Sequence, residues 1–358
     1  MQGQAFDIAV FGSNPLAALL AGLLASAHGK KVCLLSMNDW EFRLPTGLDL
    51  SVAPVTRPET WAIHEKVLPE TIKLLERIGG KTAFSRIDPL FIADTRAGAA
   101  ALSHMHYMAL AFGHAMEKAV LNDGRKAHQA AYRVRDAVVL SRAQLAQPMA
   151  RWLEKAGVHA TSSKDVTIRA DGSASIVAAG AGIEAARVVM TDDASMLAYL
   201  DGELLAGFST ADATSLLTET VVDAVASASV YVDRGIVLNQ KPGGGITVLA
   251  AGKASEALPR IGASLEGLGK LRRAGERAFR KLRTPDGAPV VGTLPGSGVF
   301  VLAELGLSGA FLAPAIARFV AGAASADEAA YFAAHAPRGE ARPEIAEYRP
   351  AMFGETGA

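Results

Sequence analysis

A glycine-led turn near the start of the chain has the spacing of an anion-binding loop. The apolar run 7–11 ends at Gly12, and the next five residues are Ser13, Asn14, Pro15, Leu16 and Ala17. Dinucleotide-binding turns follow G-x-G-x-x-G/A: the first glycine permits a tight turn, the second lets the backbone approach a pyrophosphate, and the third position packs the helix on the sheet. Gly12 and Ala17 keep the outer positions, whereas Asn14 puts a side chain at the middle one.

The elements around this turn are predicted to form a βαβ unit. Residues 7–11 have the pattern of a buried parallel strand, Pro15 suits a first helical turn, and Gly29 ends an Ala/Leu-rich helix before a second strand at 31–35. In such a unit an acidic residue after the second strand holds a ribose hydroxyl. This chain has Ser36 there, with Asp39 and Glu41 a few residues further on as substitutes.

A second group with chemical potential is a run of cations near residue 280. We predict a charged helix over residues 265–282, with either a solvated basic face or a docking face for an acidic partner or substrate. Its cations and the next one along the chain are Lys270, Arg272, Arg273, Arg277, Arg280, Lys281 and Arg283.

The remaining pattern is that of a mixed α/β chain. We predict helices over 57–78, 105–121, 141–156 and 313–322, and strands over 158–161, 173–178 and 186–190. Residues 221–232 and 235–251 alternate like antiparallel strands, with a turn at 241–245. This order suggests one nucleotide-binding domain interrupted by insertions from a second domain.

Composition limits the function classes. The 358 residues are half hydrophobic, and 36 basic residues balance 36 acidic ones, so no global field favours nucleic acid. The single cysteine, Cys33, excludes an intrachain disulfide framework and a thiolate zinc site, and His104 and His106 are too closely spaced to chelate one metal from a helix. The apolar stretch 15–27 is too short to span a bilayer. We therefore expect a soluble cytoplasmic protein with no metal site and no membrane span.

Several segments together resemble a known family. Residues 283–292 read R-T-P-D-G-A-P-V-V-G, residues 306–315 read G-L-S-G-A-F-L-A-P-A, and a short strand at 299–303 lies between them. This is similar to the C-terminal part of FAD-dependent oxidoreductases of the D-amino-acid oxidase/glycine oxidase (DAO) group. The helix ending in A-G-V (140–158) and the strand 186–190 match as well, so the resemblance covers about residues 5–325 in order.

The resemblance implies a two-domain α/β fold. A Rossmann-like FAD-binding domain would comprise residues 1–80, 140–215 and 284–335. An inserted antiparallel-sheet substrate domain would comprise residues 81–139 and 216–283. Residues 336–358, rich in Pro, Gly and charge, are predicted to be an extended or disordered tail.

It also implies FAD as the cofactor and a set of site residues. Counting five residues back from Asp286 reaches Lys281, where many members have an arginine that holds a substrate carboxylate, so we expect Lys281 first and Arg283 second to orient an anionic group. The implied cofactor-binding positions are Gly12, Ser13, Asn14, Pro15, Leu16, Ala17, Ser36, Val166, Gly306, Ser308, Gly309, Ala310 and Phe311.

Departures from the family pattern leave two functions open. Thr191-Asp192-Asp193 replaces the A-A-G turn, and its carboxylates would repel a diphosphate unless they faced solvent; Glu304-Leu305 replaces Gly-His. One hypothesis is an FAD-dependent oxidoreductase that takes a hydride from a small-molecule amine or amino acid. The other is a member that has lost turnover and serves as an accessory or scaffold subunit, with a protein partner or a second copy of itself and without a required flavin.

Overall fold

The computed structural model describes residues 4–36, 43–54, 57–121, 130–163, 165–178, 180–220, 226–240, 244–264, 272–285 and 287–338. Statements about structure below concern these residues. Three predicted features lie wholly or mostly outside the described ranges. They are Asp39 and Glu41, which were named as substitutes for an acidic residue after the second strand, the turn at 241–245, and the tail 336–358.

The first sheet is built around the N-terminal βαβ unit. Its strand order is β17-β18-β11-β1-β2-β8, with β9 and β10 extending from β11. Strand β1 pairs in parallel with β2 and β11, and β18 is parallel to β11, whereas β17 and β10 run antiparallel to their neighbours. The strands are β1 (Gln4–Phe11), β2 (Val32–Leu35), β8 (His159–Thr161), β9 (Asp165–Ile168), β10 (Ala174–Ala178), β11 (Ala181–Met190), β17 (Val290–Thr293) and β18 (Phe300–Ala303).

The second sheet is almost entirely antiparallel. Its order is β16-β12-β15-β14-β13-β4-β6-β5, and only the β13–β4 pair is parallel among the pairs described. Its strands are β4 (Leu90–Ala93), β5 (Met116–Lys118), β6 (Ala130–Val134), β12 (Ser209–Thr218), β13 (Ala228–Tyr231), β14 (Ile236–Gln240), β15 (Ile246–Ala251) and β16 (Arg273–Arg283). A separate two-stranded antiparallel sheet pairs β3 (Phe84–Ile87) with β7 (Ala137–Leu140).

Helices cover the faces of both sheets. They are α1 (Pro15–Ser26), α2 (Pro58–Gly79), α3 (Arg96–Ala111), α4 (Arg142–Lys155), α5 (Asp193–Tyr199), α6 (Ala254–Ser264), α7 (Ala313–Ala321) and α8 (Ala326–Ala334), with 3₁₀ turns at Gly80–Thr82 and Gly306–Leu312. On β1, Ile8 and Val10 face the cluster formed with α1, α2, α4 and α7, while Ala9 and Phe11 face the opposite cluster. Burial on both faces explains why the second half of this strand, residues 8–11, is continuously apolar.

Helix α1 depends on a close approach to its neighbour α4. A Cβ atom added at Gly22 would lie 2.1 Å from the ring of Trp152, so only glycine allows this contact. The buried Leu19 and Leu24 complete the apolar stripe of α1. The predicted βαβ unit and the predicted helices near 57–78, 141–156 and 313–322 are therefore confirmed.

Two predicted helices are wrong. Residues 273–282 of the predicted helix 265–282 belong instead to strand β16, in which exposed and partly buried side chains alternate as they do when one face of a strand is covered. Residues 265–271 of that predicted helix lie outside the described ranges. The predicted helix 105–121 instead begins at Thr95, whose Oγ1 accepts a hydrogen bond from the Gly98 amide, and ends near Gly113, which has φ +74°. Residues 116–118 then form β5.

The division into two sheets agrees with the predicted fold class, whereas the residue boundaries of the two domains stay a prediction. Strand β12 pairs over its whole length within the second sheet. In the described ranges, no single helix is long and apolar enough to cross a membrane. The segments Gly306–Ala321 and Ala326–Ala334 reach the necessary length and apolar character only when taken together, and they are bent by 96° relative to each other.

Candidate functional site

The site lies where the carboxyl ends of three parallel strands meet strand β16 of the second sheet. Strands β1, β11 and β18 end at this edge, which is where ligands bind in open α/β sheets. A cavity of about 350 Å³, here called the site cavity, opens there. Its lining includes Ser13, Asn14 and Leu16 after β1; Thr191, Asp192 and Asp193 after β11; Glu304, Leu305, Gly306, Gly309 and Ala310 after β18; residues 44–49; and Arg277, Phe279, Arg280 and Lys281 of β16.

The N-terminal turn, residues 12–17, is fastened to the end of β11. A Cβ atom added at Gly12 would lie 2.0 Å from Thr191 Oγ1, so glycine is required by packing. Asn14 is the N-cap of α1: its Oδ1 accepts a hydrogen bond from the Ala17 amide at 2.8 Å, and its Nδ2 donates to the Thr191 carbonyl at 3.0 Å. The side chain at the middle position of the motif therefore closes the helix end itself.

The carboxylate of Asp192 completes this closure. Its Oδ2 accepts a hydrogen bond from the Ser13 backbone N–H at 2.6 Å. Its Oδ1 accepts two more, from the Ser195 amide at 2.8 Å and the Ser195 hydroxyl at 2.6 Å, which caps α5. The sequence analysis expected Asp192 to repel a diphosphate unless its carboxylate faced solvent. The carboxylate faces residues 12–17 instead, so this repulsion is not relieved.

Ser36, which follows β2, lies next to the turn formed by residues 12–17. The Oγ atoms of Ser13 and Ser36 lie 3.0 Å apart, within hydrogen-bond distance. This contact brings the predicted ribose position next to the predicted diphosphate position, as in a dinucleotide-binding unit.

FAD, the cofactor that the sequence resemblance implies, fits the two ends of this site unequally. The site cavity has the volume of a small-molecule pocket and is lined by the 3₁₀ turn Gly306–Leu312, so it suits the ring end. At the turn, Pro15 has no N–H, and the amides of Ser13 and Ala17 already donate within the chain. Among the described residues the amides of Asn14 and Leu16 have no hydrogen-bond acceptor and remain as donors, and a diphosphate reaches Ser13 only where Asp192 gives way.

The two cations that the family resemblance places in the site, Lys281 and Arg283, are each paired with a carboxylate. Lys281 Nζ lies 3.5 Å from Asp193 Oδ2, and Arg283 Nε lies 3.8 Å from Glu304 Oε1. Burial raises the pKa of Asp193, and Lys281 opposes that rise. Lys281 lines the site cavity, whereas Arg283 reaches it through Glu304.

Arg277 belongs to the basic run noted in the sequence, but sequence reasoning did not assign it to the site. It is half-buried, lines the site cavity, and its Nη1 donates to the Leu44 carbonyl at 2.8 Å. Within the described ranges, no carboxylate lies within 4.0 Å of its guanidinium. Burial lowers its pKa and Asp192 raises it. A period of two in the sequence could have indicated Arg277 as a site residue. On β16 the side chains of one face are those of Gly275, Arg277, Phe279 and Lys281.

The structure brings most predicted cofactor positions together. Ser13, Asn14, Leu16, Gly306, Gly309 and Ala310 line the site cavity, and Gly12, Pro15, Ala17 and Ser36 belong to the adjoining turn and strand end. Phe311 is fully buried in the helical core, and its carbonyl accepts a hydrogen bond from Thr71 Oγ1 at 2.7 Å. Val166 lies on β9, away from the cavity lining.

Ser308 belongs to a separate, much smaller cavity of about 10 Å³. His64 and His114 also line it. Neither ring nitrogen of His64 has a hydrogen-bond partner among the described residues, and burial lowers the pKa of His64 to about 4. His64 is therefore neutral at physiological pH.

The fold is shared with solved amino-acid oxidases and deaminases. L-amino acid deaminase from Proteus myxofaciens, solved in complex with anthranilate, has a TM-score of 0.69 at 12% identity, covering 93% of each chain. Glycine oxidase from Geobacillus kaustophilus has a TM-score of 0.69 at 16% identity, covering 92% of this chain and 98% of the oxidase. L-proline dehydrogenase from P. horikoshii has a TM-score of 0.69 at 13% identity, covering 94% and 100%.

This likeness defines the class of fold. The chain has the two-domain α/β fold of these amino-acid oxidoreductases, and the DAO-like fold predicted from the sequence is confirmed. No protein-family model matches the sequence, and no curated protein matches it either. At identities of 12 to 16% the shared feature is the fold.

Proposed function

We propose that the protein is an FAD-dependent oxidoreductase that acts on the amino group of a small amine or amino-acid-like molecule. One observation carries this proposal: the segments after β1, β11 and β18 and the cationic strand β16 converge on one cavity of about 350 Å³. Structures with the same fold include an L-amino acid deaminase, a glycine oxidase and an L-proline dehydrogenase, whose names support an amino-acid-like substrate.

The chain's own part in this reaction is binding, orientation and exclusion of water. When bound, FAD supplies the hydride acceptor. Leu16, Leu302 and Leu305 give the cavity an apolar wall that keeps water from the reacting carbon. Lys281, which the sequence analysis favoured, and Arg277 provide positive charge for an anionic group. Hydride removal needs little acid and base equipment, so we assign no catalytic base.

The residues that would hold FAD follow from the fit at each end. The Asn14 and Leu16 amides and the N-terminal end of α1 would face the diphosphate, and Ser36 would face the ribose. Gly306, Gly309 and Ala310 would lie against the ring. Val166 and Phe311, two further cofactor positions implied by the resemblance, lie outside the cavity lining, so they are the least supported members of the set.

The absorption spectrum of the protein tests this proposal. The protein is incubated with excess FAD, passed over a desalting column and compared with a sample not given FAD. Bands of oxidised flavin that stay with the protein would support an oxidoreductase. A colourless protein that takes up no FAD at any concentration would refute it.

A second candidate function is favoured by the closure of residues 12–17. Asp192 and Asn14 satisfy amides that a diphosphate would use, which supports the alternative of a member without turnover that acts as an accessory or scaffold subunit through a protein partner. Failure to take up FAD, together with co-purification of a second chain, would favour this function. The cytoplasmic location stays a prediction.

A further inference from the structure

We infer that Asp192 is the residue that sets the affinity of the N-terminal turn for a diphosphate, because its carboxylate takes the place of that anion on the Ser13 amide. This inference rests on the proposed function and adds a specific residue to it. A helix N-terminus attracts anions through its unpaired N–H groups and its dipole. In this chain the anion at that position is part of the protein.

The carboxylate is held in place from two sides. Oδ2 contacts Ser13 across the sheet at 2.6 Å, and Oδ1 caps α5 through two contacts to Ser195. The residue before it, Thr191, is anchored by its Oγ1, which donates to the Phe11 carbonyl at 3.0 Å. Asn14 Nδ2 holds the Thr191 carbonyl as well. Asp192 is therefore positioned by both neighbouring segments and does not depend on solvent to stay there.

Electrostatics make this contact a direct competitor of an incoming phosphate. Charges of the same sign at contact distance repel strongly in a partly buried site. The neighbouring Lys281 pairs with the next carboxylate along the chain, with its Nζ 3.5 Å from Asp193 Oδ2. Arg277 also lines the site cavity; burial and Arg43 lower the pKa of its guanidinium, and Asp192 raises it.

Two variants separate the loss of charge from the loss of the helix cap. Asp192→Ser removes the carboxylate and keeps a good N-cap for α5, because serine caps as well as aspartate does. Asp192→Asn keeps the size of the side chain. Asp201→Ser is the matched control: Asp201 Oδ1 also caps a turn, accepting from the Leu204 amide at 2.9 Å, but it is exposed and lies outside the lining of the site cavity.

The experiment is an equilibrium titration of the whole protein with three probes. FAD carries ring and diphosphate, ADP carries the diphosphate without the ring, and riboflavin carries the ring without the diphosphate. Thermal unfolding of each variant is measured beside it. We expect both Asp192 variants to bind FAD and ADP at least about tenfold more tightly than the parent protein. The riboflavin affinity of the Asp192 variants should equal that of the parent protein. The Asp201→Ser variant should bind all three probes as the parent protein does.

Each outcome decides the inference. Equal or weaker FAD binding by folded Asp192 variants, with firm binding by the parent protein, would overturn the inference and leave the proposed function intact. Equal gains for riboflavin would also overturn it, because the cavity as a whole would then have loosened. If neither parent nor variants bind FAD or ADP, Asp192 is not what keeps the diphosphate out, and both the inference and the proposed function fail.

Discussion

The Oδ2 atom of Asp192 lies 2.6 Å from the backbone nitrogen of Ser13 and accepts its hydrogen bond. This contact joins the end of β11 to the turn after β1, at the position where a dinucleotide-binding unit receives a pyrophosphate. With Asn14 capping α1 beside it, the turn is complete as a piece of protein structure. The turn is satisfied by groups of the chain itself, so the fold does not require a bound anion at this position.

Replacement of Asn14 by glycine should lower stability and raise FAD affinity. The variant loses the hydrogen bonds to the Ala17 amide and the Thr191 carbonyl, and we expect the free energy of unfolding to fall by about 1 kcal/mol. Without a side chain, the backbone is open to a phosphate. Urea unfolding and FAD titration measure the two effects. Weaker FAD binding in a folded variant would identify Asn14 as a ligand instead.

Replacement of Arg277 by methionine should weaken substrate binding more than turnover. Its guanidinium lines the site cavity and contacts only the Leu44 carbonyl among the described residues, so it is available to an anionic group. We expect KM for an amino-acid substrate to rise about tenfold to a hundredfold with a smaller change in kcat.

Arg273→Met is the matched control on the same strand. Arg273 is exposed and pairs with Glu276, outside the lining of the site cavity. Steady-state kinetics of both variants, with FAD saturating, measure the difference. An unchanged KM in Arg277→Met would contradict the assignment of Arg277.

Replacement of Gly12 by alanine should destabilise the protein. The added Cβ would meet Thr191 Oγ1 at 2.0 Å, so the end of β11 must shift, which we expect to lower the free energy of unfolding by roughly 1 to 3 kcal/mol. Gly182→Ala, on the same strand β11 but with no heavy atom within 4 Å of the new Cβ, is the control. A loss as large in Gly182→Ala would remove the steric explanation.

Stability should fall as pH is lowered because His64 is buried and neutral. Its pKa is about 4 in the folded protein, below the ordinary value of 6.5 that applies in the unfolded chain, so the unfolded chain binds more protons between these two pH values. Its contribution is complete above pH 6.5 and is lost as pH falls towards 4, with a total of about 3 kcal/mol.

Urea unfolding between pH 7 and pH 5 measures this dependence. His64→Leu should flatten it, whereas His159→Gln, at an exposed histidine on β8, should not. Burial also lowers the pKa of His114, which lies beside His64, so part of the pH dependence of stability will remain in His64→Leu. A variant with the full slope of the parent protein would show that His64 does not cause it.

The sequence was sufficient for the elements whose local and tertiary signals agree. Gly12, Pro15 and Gly29 bound a strand end and a helix that are largely buried, so the apolar runs and the turn residues between them were enough to predict both. In contrast, the cations of β16 have spacings that suit a helix face as well as a strand. The pairing of β16 with β12 decides between them, and that pairing joins residues about 70 apart.

The site was predictable as a set of segments and not as a set of contacts. Motif spacing brought the turn after β1 and the 3₁₀ turn Gly306–Leu312 to the same functional hypothesis, and the structure brings them to one cavity. The Asp192 contact with Ser13 joins residues separated by 179 positions, and its direction depends on how β11 ends. A sequence can show that a carboxylate is near the site, but it cannot show which N–H the carboxylate faces.

The most direct test of the proposed oxidoreductase is the anaerobic addition of amino acids to the FAD-loaded protein. The account predicts that at least one small amino acid bleaches the visible band of the bound flavin, and that Arg277→Met needs a higher concentration of it for the same effect. A band that persists with every amino acid and simple amine, in protein that retains FAD, would contradict an oxidoreductase acting on amino groups.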